Sequence, residues 1–140
     1  MSKAGPVIII DDDPDDQDMI ARIFSKMNLE NPVRKFYDGE QALKYLRTTE
    51  EKPFIIICDI NMPIMNGIQL KQEIDRDPDV KQRNIPFVYL STSANPDQVL
   101  QAYSLKVQGF FVKGQSYEVL KESIQKIIAY WKTGVFPNSV

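Results

Sequence analysis

Four short apolar runs, each closed by a polar or turn-forming residue, and one mixed stretch punctuate the chain. Pro6-Val7-Ile8-Ile9-Ile10 leads into Asp11-Asp12-Asp13-Pro14-Asp15-Asp16, and Val33 to Phe36 follows the break at Asn31-Pro32. Phe54 to Cys58, opened by Pro53, passes straight into Asp59, with Pro63 closing the segment. Ile85 to Leu90 runs into Ser91-Thr92-Ser93, and Gly109 to Val112 ends at Lys113-Gly114. Short, β-branched runs of this kind predict strands, with the Phe54 to Cys58 run as a buried central one. Between them apolar residues recur at helical spacing. The first such set is Met19, Ile20, Ile23, Phe24 and Met27, the second Ala42, Leu43 and Leu46, and the third lies within Ile68 to about Arg76. A fourth face is read from Val99, Leu100, Tyr103 and Val107, and a fifth from Leu120, Ile124, Ile127, Ile128 and Trp131. Start signals precede them: Asp13 with Pro14 at the first helical position, Asp38 with Gln41 three residues on, Asn95 with Pro96 and Gln98, and Ser116. An Asp77-Pro78-Asp79 turn closes the third helix and Gly134 the last. Five strands alternating with five helices predict an α/β fold, a parallel sheet with helices on both faces.

Composition narrows the function. A chain of 140 residues is expected to form one domain, with a core over about 6–132 and a short tail over 133–140. Its 17 Lys and Arg are scattered and outnumbered by 19 Asp and Glu, which argues against a nucleic-acid partner. No apolar run approaches the roughly 20 residues of a membrane span, and the first six residues are too few for a signal peptide, so a cytoplasmic protein is expected. The single cysteine, Cys58, cannot close an internal disulfide and reads as a small buried hydrophobe. Histidine is absent, which excludes Ser-His and Cys-His nucleophile pairs, a histidine zinc site and a phosphohistidine on this chain. Neither the phosphate-loop nor the dinucleotide glycine pattern occurs, which argues against nucleotide binding.

The candidate chemistry lies where the strands end. Asp13 serves as a helix cap, and Asp15 and Asp16 suit the positive end of a helix dipole. Asp11 and Asp12 have no such explanation, and adjacent like charges cost free energy unless a cation or water relieves them. In a doubly wound sheet the carboxyl ends of the strands share one edge, which would gather Asp11, Asp12, Asp59, Ser91 and Lys113. Singly, Lys113 reads as a snorkelling surface lysine, Ser91 as part of a polar loop and Phe110 as core. Together they differ. Three carboxylates in one crevice form an all-oxygen set suited to Mg²⁺ or Mn²⁺ rather than zinc. A divalent ion, the Lys113 ammonium and the Ser91 hydroxyl would neutralise a phosphoryl group and let Asp59 act as a nucleophile toward phosphorus.

These residues resemble the receiver domain of bacterial two-component response regulators. The likeness is carried by the Asp11-Asp12 pair, the Asp59-x-x-Met62-Pro63-x-x-x-Gly67 signature, Ser91, Phe110 and Lys113, in family order over roughly Val7 to Trp131. It implies a flavodoxin-like receiver fold of strand order 2-1-3-4-5. It further implies Mg²⁺ held by Asp12, Asp59 and the backbone carbonyl of Asn61 with Asp11 in the second shell, and phosphorylation of Asp59 by a histidine kinase or phosphotransfer protein. Ser91 and Phe110 would act as the switch toward a downstream protein target, and Asn61 and Ser93 would tune how long the phosphate lasts. A homodimer is left open, and the Tyr130-Trp131 and Phe136-Pro137 ending looks similar to single-domain regulators of the chemotaxis or phytochrome-associated type. One departure is that Gly114 follows Lys113 where the family usually has proline, so glycine must make that turn. Two other readings are a receiver-like interaction module that takes no phosphate and an aspartyl-nucleophile phosphohydrolase. The second needs an acid two residues after Asp59, where this chain has Asn61.

Overall fold

A computed structural model of the chain describes residues 2–139. Its strands are β1 (Val7–Ile10), β2 (Val33–Phe36), β3 (Ile55–Cys58), β4 (Phe87–Ser91) and β5 (Gly109–Val112). The helices are α1 (Pro14–Lys26), α2 (Gly39–Thr48), α3 (Gly67–Arg76), α4 (Pro78–Lys81), α5 (Pro96–Ser104) and α6 (Tyr117–Thr133). All four strand pairings are parallel, in the order β2-β1-β3-β4-β5. That order places the switch of winding direction between β1 and β3, where an open α/β sheet forms its crevice.

Two layers of core explain why the central strands are apolar at every position. Ile8, Ile10, Ile56, Cys58, Phe87 and Tyr89 face α2, α3 and α5, whereas Val7, Ile9, Ile55, Ile57, Val88 and Leu90 face α1 and α6. This is the period-two alternation of a strand, with both faces covered. Each fully buried isoleucine contributes about 1.5–3 kcal/mol. The helix starts follow the caps read from sequence. Asp13 accepts from Asp15 N–H, Asp38 from Gln41 N–H, Asn95 from Asp97 N–H, and Ser116 from Val119 N–H.

Several expectations are corrected. The Asp77-Pro78-Asp79 segment forms the short helix α4 rather than a turn alone, because Asp77 caps both Asp79 and Val80 N–H and Val80 is buried. On α5, Leu100 is 72% and Tyr103 50% exposed, and the buried residue is Ala102. The face of α5 that packs is rotated away from the one the apolar spacing predicts. Gly134 ends α6 in extended rather than left-handed backbone (φ −78°), and its place is explained by space, since a Cβ there would meet the Phe136 ring at 2.4 Å. A reciprocal capping box forms at Asn66 and Gln69, where none was read.

Residues near the two ends are tied together. Lys3 Nζ donates to the Lys132 carbonyl at 2.8 Å and Lys132 Nζ to the Lys3 carbonyl at 2.7 Å. The buried Asn31 amide donates to the carbonyls of Lys3 and Gly5.

Candidate functional site

Asp11 follows β1 directly and Asp59 follows β3, and the backbone N–H of Asp59 donates to the Ile10 carbonyl at 2.8 Å. The pairing of the two central strands therefore continues one step past their ends and sets both carboxylates at the same rim. Gly67 N–H donates to the Ile60 carbonyl at 2.8 Å, closing the loop after β3. The buried Tyr89 hydroxyl donates to the Gly67 carbonyl at 2.7 Å. A Cβ at residue 67 would meet the Asp59 carbonyl oxygen at 2.3 Å, so only glycine allows the helix start to pack this closely against the Asp59 peptide. In the same loop Ile64 is held at φ +69°, a left-handed conformation rare for a β-branched residue, with 71% of its surface exposed. Strain of this kind gathers at functional loops.

Carboxylate oxygens of Asp11, Asp12 and Asp59 lie within 4.8 Å of one another. Asp11 and Asp59 are buried and Asp12 is exposed. The donor set is all oxygen and open to solvent on one side, which fits a hard divalent cation that keeps waters of its own. Lys113, also buried, supplies the cation the protein carries itself. Its Nζ donates to Asp11 at 2.6 Å, to Asp16 at 2.8 Å and to Asp59 Oδ2 at 3.4 Å. The other Asp59 oxygen accepts from the Ile60 N–H at 2.8 Å.

Burial raises the Asp11 carboxyl to about 6 despite its bonds to Lys113 and the Asp13 N–H. Burial also raises Asp59, against the opposing pull of Lys113. Burial works against the Lys113 ammonium, but its bonds to Asp11 and Asp16 outweigh it and raise that group overall. The rim is short of positive charge, since one ammonium serves several carboxylates. The Cys58 thiol beneath it is pushed up by burial and donates to the Asp59 carbonyl, as expected of a packing residue.

Other predicted residues take distinct places. Ser91 ends β4, and its backbone carbonyl accepts from Lys113 N–H at 2.7 Å. Its hydroxyl is fully buried and, among the described residues, has no hydrogen-bond partner. Phe110 pairs with Tyr89 across β4 and β5, its ring half-buried with the centroid 6.0 Å from that of Tyr89. Neither side chain bonds to Asp59. Asn61 is exposed, and its side-chain oxygen accepts from Gln98 Nε2 at 3.1 Å, a bond across to the first turn of α5. Gly114 has φ +77°, the permissive turn expected after Lys113.

Three residues take places at or near the rim beyond those expected from the sequence. Asp16 bonds to Lys113 rather than serving the helix dipole alone. It lies four residues before Ile20 on the buried stripe of α1, a spacing that marks it apart from Asp15. Gln17, also buried, donates to the carbonyls of Ile9, Asp11 and Phe36, pinning the end of β1 to β2. Gln98 gave no such signal, because its partner is distant in sequence.

The response regulator receiver domain family model matches residues 7–125, most of the chain. The chain belongs to that family. This receiver domain is 30% identical over 129 residues to the probable methanogenesis regulatory protein FilR2 of Methanothrix harundinacea, covering 89% of this chain and 82% of that protein. It is 27% identical to the response regulator Rcp1 of Synechocystis sp., over 89% and 87% of the two chains. Among solved structures, the phosphorylated cyanobacterial phytochrome response regulator RcpA matches at TM-score 0.85 and 28% identity, over 94% of this chain and 97% of that one. The Mn²⁺-bound form of response regulator Rcp1 matches at TM-score 0.81 and 26% identity, over 94% and 96%. The receiver domain is thus a component of two-component systems, and its Asp11, Asp12 and Asp59 cluster fits the phosphorylation site of the family. Among the described residues no helix is long and apolar enough to cross a membrane.

Proposed function

We propose that Asp59 accepts a phosphoryl group from a phosphohistidine on a separate histidine kinase or phosphotransfer protein. The observation that carries this reading is the meeting of Asp11, Asp12 and Asp59 oxygens within 4.8 Å, with the Lys113 ammonium 3.4 Å from Asp59 Oδ2. A carboxylate oxygen of Asp59 forms the new O–P bond. The P–N bond to the donor imidazole breaks, and its electron pair leaves with the ring nitrogen. Lys113 faces the reacting carboxylate and is placed to neutralise charge on the transferred group. The Ile60 N–H holds the other carboxylate oxygen in place.

Asp12, Asp59 and the backbone carbonyl of Asn61 would hold Mg²⁺ or Mn²⁺, with Asp11 in the second shell. The ion would supply Lewis-acid neutralisation of the phosphoryl oxygens. The Mn²⁺-bound Rcp1 structure supports the choice of a hard divalent cation.

Ser91 and Phe110 form the switch in this reading. The unpartnered Ser91 hydroxyl is free to turn toward a phosphoryl group, and Phe110 beside Tyr89 takes up the space it leaves. The phosphate adds about −1.5 to −2 charge and shifts a population between two packings of the α5, β5 and α6 face. A downstream protein, or a second copy of the chain, would read that face. The domain would work in the cytoplasm, with a core over about residues 6–132.

The test is intact mass before and after incubation with acetyl phosphate and Mg²⁺. One added phosphoryl group is expected, lost in Asp59→Ala and in the presence of EDTA. An unmodified wild-type mass, or modification that survives Asp59→Ala, overturns the assignment.

A further inference from the structure

A lysine ammonium has three N–H donors, and in this site all three meet carboxylates. The bonds to Asp11 (2.6 Å) and Asp16 (2.8 Å) are short, and the contact with Asp59 (3.4 Å) is the long one. Asp16 is outside the trio whose oxygens gather for a cation. Its carboxylate reaches the lysine from the first turn of α1, while Lys113 directly follows β5 at the edge of the sheet. The Asp16 side chain is 21% exposed and that of Lys113 only 6%, so the bond forms at the border of the buried site, where water screens it weakly.

Two features of the structure give this bond a task. The backbone after Lys113 turns through Gly114 at φ +77°, and glycine restrains a chain less than any other residue. The Lys113 ammonium itself sits on a flexible four-carbon stem, so its position depends on its carboxylate partners. Its closest partner, Asp11, also belongs to the acidic trio and responds when charge there is neutralised. Of the carboxylates bonded to the Lys113 ammonium among the described residues, only that of Asp16 lies outside that trio.

We propose that Asp16 is a positioning residue for phosphoryl transfer, holding the Lys113 ammonium beside Asp59 when Asp11 is drawn toward a bound cation. This rests on the reading of Asp59 as the phosphoacceptor. Asp15 provides an internal comparison. It lies in the same first turn of α1, carries the same charge near the same helix end, and makes no side-chain bond to Lys113.

The experiment follows the time course of phosphorylation by acetyl phosphate with saturating Mg²⁺, by intact mass, over a range of acetyl phosphate concentrations. It compares wild type, Asp16→Ala, Asp16→Asn and Asp15→Ala, each shown by circular dichroism to be folded at the assay temperature. Asp16→Ala is expected to lower the limiting rate about tenfold, the lower end for loss of a hydrogen bond to a charged group. The half-saturating concentration should stay within about twofold, because binding of the small donor does not require the lysine's exact placement. Asp16→Asn keeps an acceptor oxygen in place and should recover most of the lost rate. Asp15→Ala should match wild type. An Asp16→Ala rate equal to wild type, equal losses for Asp15→Ala and Asp16→Ala, or an Asn variant as slow as Ala would each overturn the proposal. Failure of the wild type to gain any phosphoryl group would instead strike the underlying reading.

Discussion

Asp11 shows how one residue can be costly to the fold and useful to the site. It is 2% exposed, and burial raises its carboxyl to about 6, above the value of about 3.8 it has when free. Between those two values the folded protein binds more protons than the unfolded one. The stability this group contributes is therefore fully present below about pH 4 and is lost as pH rises through about 6. In EDTA, the urea midpoint of wild type should fall relative to that of Asp11→Asn as pH is raised from about 4 to about 6.5. Since a divalent ion favours the charged carboxylates, adding Mg²⁺ should shrink that fall. Parallel curves for the two proteins in EDTA would contradict the cause given for the raised carboxyl. Much of this was legible in the chain. Asp11 and Asp12 stood out because helix capping left them unexplained, and Lys113 because it closed the last apolar run. Asp16 escaped because its charge already suited the helix dipole, although its spacing from Ile20 set it on the buried stripe.

At the scale of elements, the strands were the readable part and the helix faces less so. β1 and β3 are apolar at every position because helices cover both faces, and their bounding prolines and aspartates mark their ends. α5 misled because it is short and rests on the sheet through Ala102, the smallest apolar side chain on it, leaving Leu100 and Tyr103 turned outward. A small residue gives no periodic signal, yet here it lets the helix approach closely. Leu100→Ser should therefore change stability by no more than about 0.5 kcal/mol. Ala102→Leu, which overfills a site with no exposure, should cost about 1–3 kcal/mol by urea denaturation. If the two substitutions cost the same, the face assigned to α5 is wrong. The Gln98 to Asn61 bond was hidden for a different reason: it joins α5 to the loop after β3, and no local pattern connects residues brought together only by the crossover of the chain.

For the whole molecule, the site is an addition made by topology. Strand order brings Asp11, Asp59 and Lys113 to one rim from three distant parts of the chain, so they come together only when the sheet is complete. A ligand that binds only that assembled rim stabilises the fold by mass action. At about one hundred times its dissociation constant, Mg²⁺ should add about 2.7 kcal/mol. The melting temperature should rise with MgCl₂ and return with EDTA, and Asp12→Asn should reduce the rise. An equal rise in the variant would show that the ion acts elsewhere. The reciprocal lysine-to-carbonyl bonds between residues 3 and 132 have a consequence of another kind. They bring the N-terminal turn and the last helix within one side chain's reach. A short linker joining those two segments, with the chain reopened at the exposed turn around Gln82, would yield a circular permutant that traces the same sheet. In that permutant, β4, β5 and Lys113 would be translated before Asp11 and Asp59, and the acidic pair would emerge from the ribosome with its counter-charge already made.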